Sequence, residues 1–194
     1  MKKVTAIVAA VGMLGAMQAF AQAKNFEGLS LGANLEVDHG SLSASDGSSD
    51  SHHSTRLGLQ GRYDWALDNQ FLLGLGVGVG TGHRNAGVYA TTNEAYTKNR
   101  YSIDLMPGYA INNQLMVYGK ISALSATAAS DDGVNTASVH GTGYGIGLRG
   151  LIDNNTYWQA GLDTHRYRDV TFSTTGTTAS LKDNVFSVGL GYKF

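Results

Sequence analysis

From residue 24 onward, bulky apolar side chains recur at every second position. Leu29, Leu31, Ala33, Leu35 and Val37 alternate with Gly28, Ser30, Gly32, Asn34 and Glu36. Leu57, Leu59, Gly61, Tyr63 and Trp65 alternate with Arg56, Gly58, Gln60, Arg62 and Asp64. The same period runs through residues 71–80, 100–109, 115–123, 143–149, 157–165 and 185–194. A strict period of two marks β-strands whose faces meet different surroundings. One face here is aliphatic and aromatic; the other mixes glycine, hydroxyls, amides and charges. The pattern predicts eight strands, each near the ~9–11 residues with which a tilted strand crosses a bilayer.

The connections alternate in length. Residues 66–69, 111–114 and 152–156 are short and rich in Asp and Asn, as tight hairpin turns require. Residues 38–54, 82–97, 127–138 and 168–179 are long and polar, and 42–54 is close to low complexity, which predicts a mobile first loop. Short turns at one end and long loops at the other describe an up-and-down meander of the transmembrane kind. Closure follows from solvation, because an open sheet edge in hydrocarbon would leave backbone polar groups unpaired. The predicted fold is an eight-stranded antiparallel up-and-down transmembrane β-barrel. A soluble ligand-carrying barrel also alternates, but it wants apolar bulk inside, whereas here the glycines and charges share one face. Phe26, Tyr63, Trp65, Phe71, Tyr109, Tyr157, Trp158, Tyr192 and Phe194 gather at the short-turn ends, as an interfacial aromatic girdle predicts.

Composition narrows the classes further. Charged residues are 15% of the 194, against about 25% in soluble domains, and glycine is 26 residues with one proline, Pro107. No cysteine is present, which excludes disulfide scaffolds, zinc ribbons and thiol nucleophiles. With 14 basic and 15 acidic residues, nothing in the charge favours nucleic acid. Residues 1–23 carry Lys2 and Lys3, an apolar run over 4–17, and two A-x-A sites, Ala19-Phe20-Ala21 and Ala21-Gln22-Ala23. That is the layout of a secretory signal peptide, cleaved after Ala21 or Ala23, which leaves 24–194 as the barrel.

On these residues the chain resembles the eight-stranded outer-membrane barrels of Gram-negative bacteria, of the OmpA-transmembrane, OmpX and opacity-protein type. The terminal strand carries the most specific part of the likeness, ending in Tyr192-Lys193-Phe194. The resemblance implies that Tyr192 and Phe194 form the signal read by the outer-membrane assembly machinery. It also implies periplasmic chaperones on the way, an outer-membrane destination, and no peptidoglycan-binding domain after Phe194. Such barrels serve many roles, so the fold alone names none.

The inner face carries both signs of charge. Strand position predicts three layers: Arg62, Asp64, Arg149 and Lys193 low, Asp104, Lys120 and Asp163 at mid-height, and Glu36, Arg56 and Arg100 high. Asp104 is expected opposite Lys120 or one diagonal away. A buried charge left unpaired costs several kcal/mol, so these residues are expected to form an ion-pair network closing the lumen. Arg166 and Lys182 fall on the outward face near the loop end, where they can meet lipopolysaccharide phosphates. Gly145-Ile146-Gly147-Leu148-Arg149-Gly150 matches a dinucleotide fingerprint but sits inside an alternating run with no helix after it. His39, His52 and His53 lie with Asp46 and Asp50 in the first loop, where an adjacent pair in a flexible segment defines no tetrahedral metal site. His140-Gly141-Thr142 places a base and a hydroxyl on one face, as lipid A deacylase barrels do with His and Ser, but no glutamate is available to orient them. No cofactor is called for. The expected function is a non-enzymatic structural or adhesin-like surface barrel, with lipid, lipopolysaccharide and a loop-bound surface ligand as partners; a small solute or ion pore is the alternative.

Overall fold

The computed structural model describes residues 23–44, 49–81, 84–89, 93–130, 136–168, 170–171 and 178–194, with side chains described outside 41–52, 82–98, 128–137 and 169–181. The predicted signal segment up to residue 22 lies outside the described residues. The strands are β1 (Gly28–Ala44), β2 (Ser49–Ala66), β3 (Phe71–Gly80), β4 (Arg84–Tyr89), β5 (Asn93–Ala110), β6 (Leu115–Ser130), β7 (Thr136–Leu151), β8 (Thr156–Tyr167), β9 (Val170–Thr171) and β10 (Thr178–Lys193). Eight of them pair in the order β1-β2-β3-β5-β6-β7-β8-β10, and β10 pairs back onto β1, so the sheet closes. All neighbours are antiparallel, as the alternation predicted.

The register fixes the geometry. Stepping from His39 through Asn184, Thr164, Tyr144, Ile121, Leu105, Leu75 and Tyr63 returns to β1 at Leu29, a shear of ten residues. With eight strands about 4.8 Å apart and about 3.3 Å per residue, that shear tilts the strands by about 40°. Each step along this row from β1 toward β10, β8 and β7 therefore descends about 3 Å toward the short turns.

Outward positions are exposed and apolar: Leu35, Leu59, Val77, Ile103, Ile146, Leu162 and Leu190 among them. By the tilt, this face spans about 24 Å from Phe71 to Val37, close to the ~25 Å apolar band of outer-membrane barrels. Tyr63, Trp65, Phe71, Tyr109, Trp158, Tyr192 and Phe194 ring its lower edge and point outward. Phe71–Tyr109 and Tyr192–Phe194 meet edge to face at 5.2 and 5.1 Å. Phe26 and Tyr157 do not belong to this girdle, because both are 1% exposed and face inward. Tyr157 has the inward parity of β8, and Phe26 is folded under the barrel.

The three short turns repeat one device. Asp68, Asn112 and Asp153 each accept two backbone N–H bonds with Oδ1, from Gln70 and Phe71, Gln114 and Leu115, and Asn155 and Thr156, at 2.6–2.8 Å. In each turn the preceding N–H (Leu67, Ile111, Ile152) reaches the carbonyl four residues on, at 2.8–2.9 Å. These are Asx turns, the local chemistry that Asp and Asn supply without tertiary help.

At the other end the strands run further than the alternation predicts, into the segment read as the first loop, of which 45–48 lie outside the described residues. β1 and β2 stay paired from His39↔His53 up to Ser43↔Ser49. Likewise β4 hairpins onto β5, β6 and β7 pair up to Ala129↔Thr136, and β9 pairs with β10. Once a hairpin is aligned by its membrane half, the ladder extends upward on backbone hydrogen bonds alone. A bulge interrupts it at Asn99, which has φ 53° and shifts the β5–β6 register between Lys98 and Tyr101.

Candidate functional site: a charged lumen and a cationic outer rim

The lumen is filled by side chains of both signs, stacked from the short turns upward. At the base, Arg62 Nε donates to Asp64 Oδ1 at 2.8 Å, and Arg149 Nη1 reaches Asp64 Oδ2 at 3.2 Å. Arg149 also donates to Ser30 Oγ and Gln159 Oε1, at 3.3 and 3.2 Å. Gln159 continues to Asn34 at 2.5 Å and accepts from Gln60 at 2.8 Å. This belt ties together β1, β2, β7 and β8. The guanidinium of Arg149 stacks 4.1 Å over Tyr157, and that of Arg62 lies 4.8 Å over Tyr118. Such bulk fits a narrow barrel only where the facing wall is bare: a Cβ on Gly147 would strike the Tyr118 ring, and one on Gly191 the Tyr157 ring.

At mid-height Lys120 Nζ pairs with Asp163 Oδ2 at 2.7 Å. Asp104 stands opposite Ser122, one diagonal from Lys120 as expected, but takes no part in that ion pair. Its Oδ2 accepts from Ser102 at 3.0 Å, and Oδ1 has no partner among the described residues. The reason is register: Lys120, Gly145 and Asp163 share one row across β6, β7 and β8, and the bare Gly145 lets Lys120 pass over β7 to Asp163. Near the top, Arg56 bridges Glu36 at 2.8 Å and Asp38 at 2.9 Å, and Arg100 pairs with Glu36 and touches His165 Nδ1 at 3.3 Å. Lys193, predicted with the low layer, makes no ion pair among the described residues and only approaches the Glu27 carbonyl at 3.5 Å.

Below the belt a second closure appears that periodicity does not reveal. The chain before β1 makes a short turn, Ala23–Asn25, and tucks Phe26 into the barrel mouth against Leu72, Met106, Ala110 and Met116. Ala23 N–H bonds to the Asn69 carbonyl at 3.0 Å, and Asn25 Nδ2 to that of Asn113 at 3.1 Å, so the turn is pinned to the two neighbouring hairpins β2–β3 and β5–β6. A signal for it exists in hindsight, since Leu72, Ala110 and Met116 place apolar side chains at lumen positions. The lumen cavity above the belt amounts to about 40 Å³, room for about three waters.

The remaining candidates settle on the outside. Arg166 and Lys182 are both exposed and are direct register partners on β8 and β10. His140 and Thr142 share the outward face of β7, with Ser125 and Ala123 beside them on β6 and Arg166 opposite Thr142. No described carboxylate adjoins them, so nothing orients the imidazole as a base. Gly145–Gly150 lies wholly inside β7, with no helix to receive a phosphate. His39 and His53 face each other with ring centroids 4.5 Å apart, while the side chains of His52, Asp46 and Asp50 lie outside the described residues. Among the described residues no three potential ligands gather.

A closed eight-stranded barrel with an apolar outside, an aromatic girdle and a polar interior is an outer-membrane barrel. The family model of the outer membrane protein beta-barrel domain matches residues 6–194, and the chain belongs to that family. Among solved structures it is similar to Ail, the attachment invasion locus protein of Yersinia pestis, at 17% identity over 87% of this chain and 99% of that one, with a TM-score of 0.53. Ail is also solved in complex with the heparin analogue sucrose octasulfate, at 19% identity, the same coverage and a TM-score of 0.54. Neisserial surface protein A matches at 14% identity over 87% of this chain and all of its own, with a TM-score of 0.52. No curated protein sequence matches. At such identities the likeness is one of fold.

Proposed function

We propose that this chain is a non-conducting, non-enzymatic surface barrel that stiffens the outer membrane and presents its four hairpin ends for attachment to a host or environmental surface. The observation that carries this reading is the double closure of the lumen, by the Arg62–Asp64–Arg149 belt and by the Phe26 plug beneath it. A pore needs a continuous wet path, and two buried arginines clamped on one carboxylate and packed against Tyr157 and Tyr118 leave a poor one. The ordered hairpin extensions support the other half, because a binding surface raised on paired strands costs less entropy to order than a free loop. The exposed C-terminal pair Tyr192 and Phe194 suits delivery by the outer-membrane assembly machinery and its periplasmic chaperones.

The ligand of the hairpin ends differs in charge from the polyanion bound by Ail. Apart from Asp38, which is buried against Arg56, segments 38–54, 82–97, 127–138 and 168–179 carry Asp46, Asp50, Glu94, Asp131, Asp132 and Asp169 against Arg84 and Arg168. An acidic crown repels sulfated glycans and suits a neutral or basic surface. The test is conductance and adhesion on the same refolded protein. Planar bilayers in molar salt are expected to stay silent, while cells displaying the barrel adhere to neutral or cationic surfaces and not to immobilised heparin. Unitary current steps would instead promote the pore, and adhesion that survives replacement of all four hairpin ends by tight turns would remove the attachment role.

A further inference from the structure

The outer edge of the apolar band carries a cluster that neither the lumen nor the hairpin ends explain. Arg166 and Lys182 stand side by side on β8 and β10, facing outward. Directly opposed like charges destabilise a sheet unless something anionic lies between them. Among the described residues no carboxylate shares this outward face above the band. One step higher, Arg168 extends the same sign, its N–H bonded to the His140 carbonyl at 2.9 Å. From the strand tilt, Arg166, Lys182 and Arg168 stand about 4 to 9 Å above Val37 and Tyr101, the last apolar residues of the band. That is the height of lipid headgroups, not of open solvent.

Below this cluster on the lipid side lies a groove between β8, β10, β1 and β2, whose lining ends at Thr164 and Asn184, one outward position short of Arg166 and Lys182. Its volume is about 410 Å³, within the ~300–1,000 Å³ of ligand clefts, and its lower wall is Val37, Leu162 and Phe186. Its upper wall is polar although it faces lipid: Thr164 Oγ1 donates to Asn184 Oδ1 at 2.9 Å, with His39 beside Asn184. Arg166 and Lys182 are the next outward residues above Thr164 and Asn184. The sequence of environments from top to bottom is cationic, hydrogen-bonding, then apolar. It matches a molecule with a phosphate, a sugar or amide region, and an acyl chain.

We infer that this face is a binding site for a phosphorylated outer-leaflet glycolipid, lipid A, with a phosphate between Arg166 and Lys182 and one acyl chain along Val37, Leu162 and Phe186. Charge-assisted bonds to phosphate explain why two cations are kept opposed at the membrane edge. The site is independent of what the hairpin ends bind and of whether the lumen conducts.

Native mass spectrometry of the refolded barrel in detergent, with added bisphosphorylated lipid A, dephosphorylated lipid A or phosphatidylglycerol, tests it. Wild-type protein is expected to retain bisphosphorylated lipid A, and R166Q/K182Q to retain it about tenfold less or worse, a loss of two charge-assisted contacts. K24Q, which removes an exposed cation at the opposite mouth, serves as the charge control and is expected to match wild type. Heat-modifiable gel mobility confirms that each variant is folded. Equal retention by R166Q/K182Q, or equal retention of the dephosphorylated lipid by wild type, overturns the site. Phosphatidylglycerol held as firmly as lipid A overturns the assignment to the glycolipid.

Discussion

The lumen shows how a single residue's value depends on where its partner stands. Lys120 was readable as a mid-height lumen cation from parity alone, and so was the opposite charge it requires. Its choice of Asp163 over Asp104 was not readable, because it depends on the cross-strand register, which sets Lys120, Gly145 and Asp163 in one row with only a glycine between the two charges. The consequence is a specific prediction. Lys120→Met leaves Asp163, 6% exposed in its side chain, without its cation. Urea unfolding in bilayers should show a loss toward the lower end of the ~3–5 kcal/mol seen when one partner of a buried pair is removed, since the adjoining cavity leaves some water. Adding Asp163→Asn should restore most of that loss, while adding Asp104→Asn should not. Equal rescue by both would mean that Lys120 serves the lumen field as a whole and not one partner.

Among the elements, the membrane halves of the strands were fully legible and their upper halves were not. Between Leu29 and Val37, lipid on one side and a polar lumen on the other force alternation into the sequence. Between His39 and Ala44 the strand rises above the apolar band and reads His-Gly-Ser-Leu-Ser-Ala, a run with too little contrast between its faces to mark a strand. The short turns are the opposite case, because their structure is written in one residue. In Asp68 and Asp153, two backbone N–H donors hold the exposed carboxyl below the ordinary aspartate range. A depressed folded-state value means stability that is present above the unfolded value, about 3.9, and lost as pH falls through the folded one. Unfolding midpoints should therefore be flat from neutral pH down to about 5 and should drop below about 4. In D68N/D153N, the amide oxygen keeps the turn and cannot titrate, so this part of the acid loss should disappear. An unchanged acid slope in that variant would assign the loss to the lumen carboxylates.

At the scale of the whole molecule, the N-terminal turn joins questions that the sequence posed separately: where the leader ends and whether the lumen is open. Cleavage after Ala23 would delete a fully buried residue whose N–H holds the Asn69 carbonyl, whereas cleavage after Ala21 keeps it. The mature chain should therefore begin at Gln22, which the intact mass of barrel isolated from outer membranes reads directly; a mass beginning at Lys24 would show the plug to be dispensable. The plug and the belt close the same passage in series, one apolar and one charged, with Phe26 1% exposed and Arg149 1% exposed. Two closures in series make separate openings invisible. A barrel lacking residues 22–27 should remain silent in planar bilayers, and so should one carrying R62G/R149G in an otherwise intact chain. Only the combination should conduct, and weakly, because Lys120, Asp163, Arg56 and Glu36 still narrow the path above. Current from either single variant would mean that one closure alone blocks the passage. Silence from a folded combined variant would place the true barrier higher, at the Glu36–Arg100 layer.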